Sequence, residues 1–382
     1  GLDEEKEEVA ELIDFLKKRY DSNIVIFIAA IAIIVFLFAS MTAQWVGGAR
    51  LIQSLTGLDY TAALLVFGFT VLIYVTIGGF RAVALTDALQ GSIMIIGTVI
   101  LLIGTIIAGG GIENIMQKLV AENPNFISPF GATENLTPLY VSTFWILIGL
   151  GVIGLPQIAV RAMSYKNSKS LHRAILIGTI GIGSIMFGMH LIGVLARPVM
   201  PGIEVADTVM PLLTLKVLPP VLAGIVLAAP MAAIMSTVNA LLILVSSTVV
   251  KDVYLNFINP TATEDQIKNR SFIVTTVIGL AVVLFALNPP EFLIWLNLFA
   301  FGGLEAAFLW SVVFGLYWKK ANKYGAIASM LSGITLYILI DRLSPHIFGM
   351  HTVTLPILVS LIVFVSVSLI ARKIKTIEDY HF

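Results

Sequence analysis

The sequence predicts an all-α integral membrane protein that crosses the bilayer about ten times, and three observations carry that reading. Of 382 residues, 58% are hydrophobic and only 12% charged, with a mean hydropathy of +0.97, which is far more apolar surface than a soluble core needs. Apolar segments of about 20 residues, the length a helix needs to cross about 30 Å of hydrocarbon, recur along nearly the whole chain. The period-two alternation of an outer-membrane barrel is absent. The 23 Lys and Arg balance the 23 Asp and Glu, so charge acts through its distribution. There are no cysteines, which excludes disulfides, thiolate metal sites and cysteine nucleophiles.

Residues 1–20 run from acidic to basic and place Val9, Leu12, Ile13 and Leu16 at helical spacing, which predicts a short amphipathic cytoplasmic helix on the membrane surface. The stretch is too acidic for a signal peptide, and the lack of an initiating Met points to a processed, trimmed or fragmentary start. A transmembrane unit is expected over 21–372 and a cytoplasmic tail over 373–382. Within the unit the spans fall at 24–48, 60–78, 84–108, 139–158, 172–195, 221–249, 271–288, 291–317, 324–341 and 354–371.

Orientation follows from the Lys and Arg, which short cytoplasmic loops retain. With the N-terminus inside, all of the 23 except Arg50, Lys118, Arg197, Lys216 and Arg342 fall on the inner side, so both termini are expected in the cytoplasm. The outer connections at 109–138 and 196–220 are long and proline-rich, the kind of segment that forms either a gate or a plain disordered link. The inner ones, 161–173 and 250–270, contain nothing like a phosphate-binding loop. No H-E-x-x-H, no G-x-S-x-G with partners and no pair of acids set for hydrolysis occurs, so neither an ATPase nor another enzyme is expected. No nucleic-acid or protein partner is implied; the expected partners are the lipid bilayer and a small solute.

Polar residues inside spans are costly and usually face the bundle interior. In A-A-P-M-A-A-I-M-S-T-V-N-A (228–240), Ala233, Ser236 and Thr237 stand at i, i+3 and i+4, so one carbonyl and two hydroxyls share a helical face. That face suits a small hard cation, or equally close helix packing with the hydroxyls bonded to the preceding turn. Asp87 and Gln90 open the third span, where an acid can act as a cap as well as a ligand. Glu305 lies at the middle of the eighth span with Asn297 about two turns earlier, and an unpaired carboxylate there costs at least ~2.5 kcal/mol. A functional role and a structural polar pair both fit it. His190 reads as a hydrogen-bonded packing residue. The fourth span carries Gly149, Gly151, Gly154 and Pro156, which mark either a broken helix lining a solute cavity or a simple kink near the inner surface.

These residues resemble the sodium:solute symporter family. The likeness runs through W-V-G-G-A-R-L (45–51), I-G-G-F-R-A-V-A-L-T-D-A-L-Q (77–90), G-L-P-Q-I-A-V-R (154–161), the 228–240 stretch, W-L-N-L-F-A-F-G-G-L-E-A (295–306) and G-L-Y-W (315–318). Within the family, P-M-A-A-I-M-S-T-V-N-A, L-P-Q-I-A-V-R-A-M-S-Y-K and F-G-G-L-E-A-A-F look more like the pantothenate branch than the proline branch. The resemblance implies a LeuT-type inverted-repeat fold and Na⁺-coupled symport of a small solute, pantothenate or else another such as proline. It implies Na⁺ as coupling ion, bound by the Ala233 carbonyl and the Ser236 and Thr237 hydroxyls, with Asp87 as the acid of sodium binding or inner gating. Gly154, Pro156, Gln157, Asn297 and Glu305 would face the solute path. An ionised Glu305 would repel a carboxylate solute, so it would meet a hydroxyl or amide. Three front helices of the family, including the first core helix with its S-x-S-S-F-I-G-G motif, have no counterpart here. The fold is therefore expected to be N-terminally incomplete, with one wall of a weak sodium site, and a truncated, non-transporting membrane module is the competing expectation.

Overall fold

The computed structural model describes residues 12–78, 83–132, 136–158 and 167–379, and every regular element within them is helical. In chain order these are α1 (Leu12–Tyr20), α2 (Asn23–Thr56), α3 (Tyr60–Gly78), α4 (Val83–Ala108), α5 (Ile112–Glu122), α6 (Pro138–Trp145), α7 (Ser168–Val199), α8 (Val209–Val217), α9 (Pro220–Ser247), α10 (Glu264–Ala286), α11 (Ile294–Tyr317), α12 (Lys323–Leu343) and α13 (Thr354–Asp379). Among the described residues, eight helices are long and apolar enough to cross a membrane, and two shorter apolar ones, Tyr60–Ile73 and Pro138–Gly154, stand beside them. These ten occupy the positions of the ten expected spans. Val9, the 79–82 part of the family-like motif and the basic connection over 159–166 lie outside the described residues.

The bundle is built around α2. Its 34 residues reach about 50 Å at 1.5 Å per residue, well beyond the hydrocarbon thickness. The helix ends where Gly57, at φ 72°, donates its N–H to the Gln53 carbonyl at 2.9 Å, the left-handed stop that glycine adopts without strain. α2 packs against α3, α9, α10, α11 and α12. Its contact with α11 is close because the Phe36 ring fills the space a side chain would take at Gly303. α12 and α13 form a hairpin on the far side of α11, with the Trp310 indole N–H donating to the Ile357 carbonyl at 2.8 Å.

Three segments differ from the sequence expectation. The apolar face of α1, Leu12, Ile13 and Leu16, is buried at 2% exposure or less against the bundle rather than lying on a membrane surface. Tyr20 donates to the Ser311 carbonyl at 2.6 Å, and the Arg19 guanidinium bonds the carbonyls of Gly315, Trp318 and Ala321 at the end of α11. A basic residue at a helix C-terminus satisfies carbonyls that lack intrahelical donors.

The inner connection expected from 250 begins later, because α9 continues as a π-helix over Thr248–Ile258. One face of that segment docks on α1 and α2, with Val250 buried, Lys17 Nζ 3.2 Å from Asn256 Oδ1, and Lys251 paired to Asp14 at 3.1 Å. The outer connections also hold structure. The first contains α5, and the second contains α8 after a short turn, Ala206–Thr208, whose Asp207 carboxylate accepts the Leu293 N–H at 3.0 Å. A 2.6 Å Arg197–Glu122 pair ties α7 to α5.

Candidate solute and sodium sites

The fourth span is broken. After α6, capped by Thr137 Oγ1 accepting the Tyr140 N–H at 3.1 Å, the chain makes a π-turn over Ile146–Leu150 and a 3-10 turn over Gly151–Gly154. Leu155 is then extended at φ −85°, ψ 116°. Glycines weaken the helix, and Pro156 forces the residue before it out of the helical region.

The break lies against α11. A Cβ at Gly154 would stand 2.9 Å from the Leu309 amide nitrogen and 3.2 Å from the Glu305 Cα, and the Glu305 carboxyl occupies the space a Cβ would need at Gly151. Glu305 is 1% exposed. Neither of its oxygens, nor Gln157 Oε1, has a hydrogen-bond partner among the described residues. Buried acceptors without donors cost several kcal/mol per charged group, so this contact leaves acceptors open to donors that the described residues do not supply. Pro156 is buried beside it.

Asn297 goes elsewhere. Its Oδ1 accepts a 2.9 Å hydrogen bond from Ser40 of α2, while Glu305 faces the Gly151–Gly154 turn. Eight helical positions differ by about 80° around the axis, enough to send the two side chains into different interfaces. Ser40, 4% exposed, is not among the residues the sequence points to. Its signal is the polar interruption A-S-M-T-A-Q in the apolar run of α2.

On α9, the Ala233 carbonyl accepts Thr237 Oγ1 at 2.8 Å and Ser236 Oγ at 3.4 Å, all three residues being half-buried. The hydroxyl hydrogens turn inward to the helix and the oxygen lone pairs turn outward. α9 packs on α2 and α4, whereas the broken span packs on α11, so α2 is the helix that touches both supporting elements. Gly47 of α2 marks the junction, facing Ile234 of α9 and Leu293 at the head of α11. The Asp87 backbone lies in α4, and its side chain is outside the described residues. His190 is exposed and bonds the Met186 carbonyl of its own helix at 2.6 Å.

The connection between α12 and α13 closes on α6. The His351 N–H donates to Thr143 Oγ1 at 2.8 Å, and its ring packs on Tyr140 and Phe144. Burial, with the neighbouring His346, lowers the His351 pKa to about 4. A cavity of about 260 Å³ lies here, lined in part by Tyr140, Trp295, Tyr337, Asp341 and the two histidines. The sequence signal, two histidines five positions apart in one short loop, carries no motif.

A multi-pass helical bundle with a glycine-broken span and buried donorless acceptors near a span centre has the architecture of a secondary transporter. Comparison with known proteins agrees. The profile of the Sodium:solute symporter family matches residues 5–333. The chain is 50% identical over 353 residues to the sodium/pantothenate symporter of Haemophilus influenzae, covering 92% of this chain and 73% of that protein. It is 48% identical over 355 residues to the sodium/pantothenate symporter of Escherichia coli, with the same coverage. A solved structure of a substrate-bound, outward-open Na⁺-coupled sialic acid symporter superposes with a TM-score of 0.70 at 18% identity, over 92% of this chain and 77% of that one. The fold is thus the LeuT-type fold expected from the family resemblance. The chain belongs to the sodium:solute symporter family, and Na⁺ is the coupling ion of such symport.

Proposed function

We propose that this chain moves pantothenate inward together with Na⁺ across a bacterial inner membrane by alternating access, acting as a transporter and not as an enzyme. The observation that carries the solute path is the Glu305 carboxyl, buried and without a donor against the Gly151–Gly154 break. Pantothenate offers hydroxyls and an amide N–H, the donors that Glu305 and Gln157 lack. The likeness to two sodium/pantothenate symporters at about half identity supports that solute over proline. Gly154, Pro156 and Gln157 form the broken-span side of the path, Glu305 the α11 side, and Asn297 its tie to α2. Ala233, Ser236 and Thr237 form one wall of the sodium site, neutral oxygens for a hard cation, with Asp87 of α4 as the acid assigned to sodium binding or inner gating.

The membrane unit spans 21–372. Both termini face the cytoplasm, as the distribution of Lys and Arg supports. The test is uptake of labelled pantothenate by cells expressing the gene from which this chain is read. Uptake should collapse without a sodium gradient and be competed by unlabelled pantothenate but not by proline. Sodium-independent uptake would sink the coupling, and competition by proline would reassign the solute.

A further inference from the structure

The ends of α1, α11 and α13 and the start of α12 flank an open cavity of about 1080 Å³ whose wall includes Arg19, Lys319, Lys320, Lys323 and Arg372, with Asp21 as its one acid. These cations come from three separate stretches of chain, so the fold, not a local run, gathers them. Arg19 is held firmly: Nε bonds the Gly315 carbonyl at 2.7 Å, and Nη2 bonds those of Trp318 and Ala321 at 3.2 Å. These use three of its five N–H donors. Asp21, at φ 44°, turns the chain from α1 into α2 beside it.

The cavity is not wholly polar. Val367, Ile370 and Ile374 of α13 line its other side, and Ile370 and Ile374 are 58% and 52% exposed. Tyr324 lies at the same level with Lys323 Nζ 5.5 Å from its ring centre, and Tyr317 is exposed at the end of α11. Exposed tyrosines and lysines at span ends mark the headgroup level of a bilayer.

We propose that this cavity is a binding site for an anionic phospholipid, its phosphate set among Arg19 and the three lysines and its acyl chains lying along the Val367–Ile370 side of α13 towards the membrane interior. An anion alone would use the cationic wall and leave the apolar wall idle, whereas a phospholipid uses both. Basic pockets between span ends are the places where anionic headgroups settle. The site is independent of the solute carried; it rests on the orientation only for which leaflet supplies the lipid.

The test is native mass spectrometry of the purified chain in detergent, titrated with dioleoyl-phosphatidylglycerol, dioleoyl-phosphatidylcholine or inorganic phosphate. Phosphatidylglycerol should bind at least tenfold more tightly than either of the others, and each of K319Q, K320Q and K323Q should weaken it about fivefold. Lys268→Gln, exposed at the start of α10 on the same membrane side, should change little. The charge-retaining triple K319R/K320R/K323R should keep the affinity, which separates lost charge from lost folding. Equal binding of phosphatidylcholine would overturn the proposal. So would phosphate that displaces phosphatidylglycerol at equal concentration, or a loss in K268Q as large as in the pocket variants, which would reveal a diffuse basic surface.

Discussion

Gly154→Ala tests whether the broken span packs on α11. The added methyl would stand 2.9 Å from the Leu309 amide nitrogen and 3.2 Å from the Glu305 Cα. Both neighbours are helix backbone, which has no rotamer to change, so the Gly151–Gly154 turn and α11 must separate. Overpacking of this kind costs about 1–3 kcal/mol. At Gly149, five positions earlier in the same span, an added methyl would meet nothing within 4 Å, so Gly149→Ala should gain the ~0.5–1 kcal/mol of reduced unfolded-chain entropy. The two variants should differ by roughly 2–4 kcal/mol, and at about 2 °C per kcal/mol their apparent melting points in detergent should lie about 4–8 °C apart, as read by tryptophan fluorescence. Gly151→Ala should fall between them in stability, since the Glu305 carboxyl it meets ends a flexible side chain, yet it should lower pantothenate uptake more than Gly149→Ala. A Gly154→Ala protein melting at or above Gly149→Ala would refute the packing of the break on α11.

Ser236→Ala and Thr237→Ala should each raise the sodium concentration for half-maximal uptake about ten- to hundredfold, from the ~1.5–3 kcal/mol of a hydrogen-bonding oxygen facing a charge; an unchanged sodium dependence would leave these hydroxyls to packing alone. His351 should make stability depend on pH. Its folded pKa is about 4 against about 6.5 unfolded, so the stabilisation is fully present above about pH 6.5 and is lost as pH falls towards 4. About 3 kcal/mol is at stake, and protonation also removes the Nδ1 acceptor of the Val353 N–H. Melting curves from pH 7.5 to 4 should show the decline, and a His351→Asn protein that declines equally would assign it to other groups. Arg19→Gln should loosen the last turn of α11, raising amide exchange of residues 315–321 severalfold. Arg19→Lys should restore it only in part, because one ammonium cannot reproduce the guanidinium fork on three carbonyls.

The spans are legible because each apolar run is long enough to cross hydrocarbon and each break carries glycine, proline or charge. The expected fourth span at 139–158 and the observed α6 with its broken continuation agree for that reason. The docking of α1 is not legible. Its apolar stripe is the same whether it faces lipid or protein, and partners far off in sequence, such as the end of α11 that Arg19 and Tyr20 meet about 300 positions on, separate the two. The helix over 248–258 reads as a connection because Lys251, Asp252 and Asn256 look like loop residues, while their tertiary partners Asp14 and Lys17 lie far off in sequence. Local propensity loses here to packing against α1 and α2. In the site, the break and Glu305 are each visible alone, but the pairing of Gly151 with Glu305 is not, since it depends on which face of α11 meets the Gly151–Gly154 turn. Ser40 stays hidden for the same reason, a hydroxyl in a long apolar helix being ordinary until its partner is known.

The two candidate sites solve the problem of polar atoms within a membrane in opposite ways. On α9 the hydroxyls of Ser236 and Thr237 spend their hydrogens on the Ala233 carbonyl, so the site is internally satisfied and holds at little cost when no ion is present. Sodium there must compete with those bonds for the carbonyl, while the outward lone pairs of the hydroxyls are already set for it. That arrangement favours reversible binding over tight capture. Where the broken turn meets α11, the acceptors of Glu305 and Gln157 are left without donors among the described residues, a standing cost that a hydroxyl- or amide-bearing solute would remove on the proposed reading. On the proposed reading one site releases and the other captures, and α2, packed against α9 and α11 through Gly47 and Ser40, is the helix that joins the two.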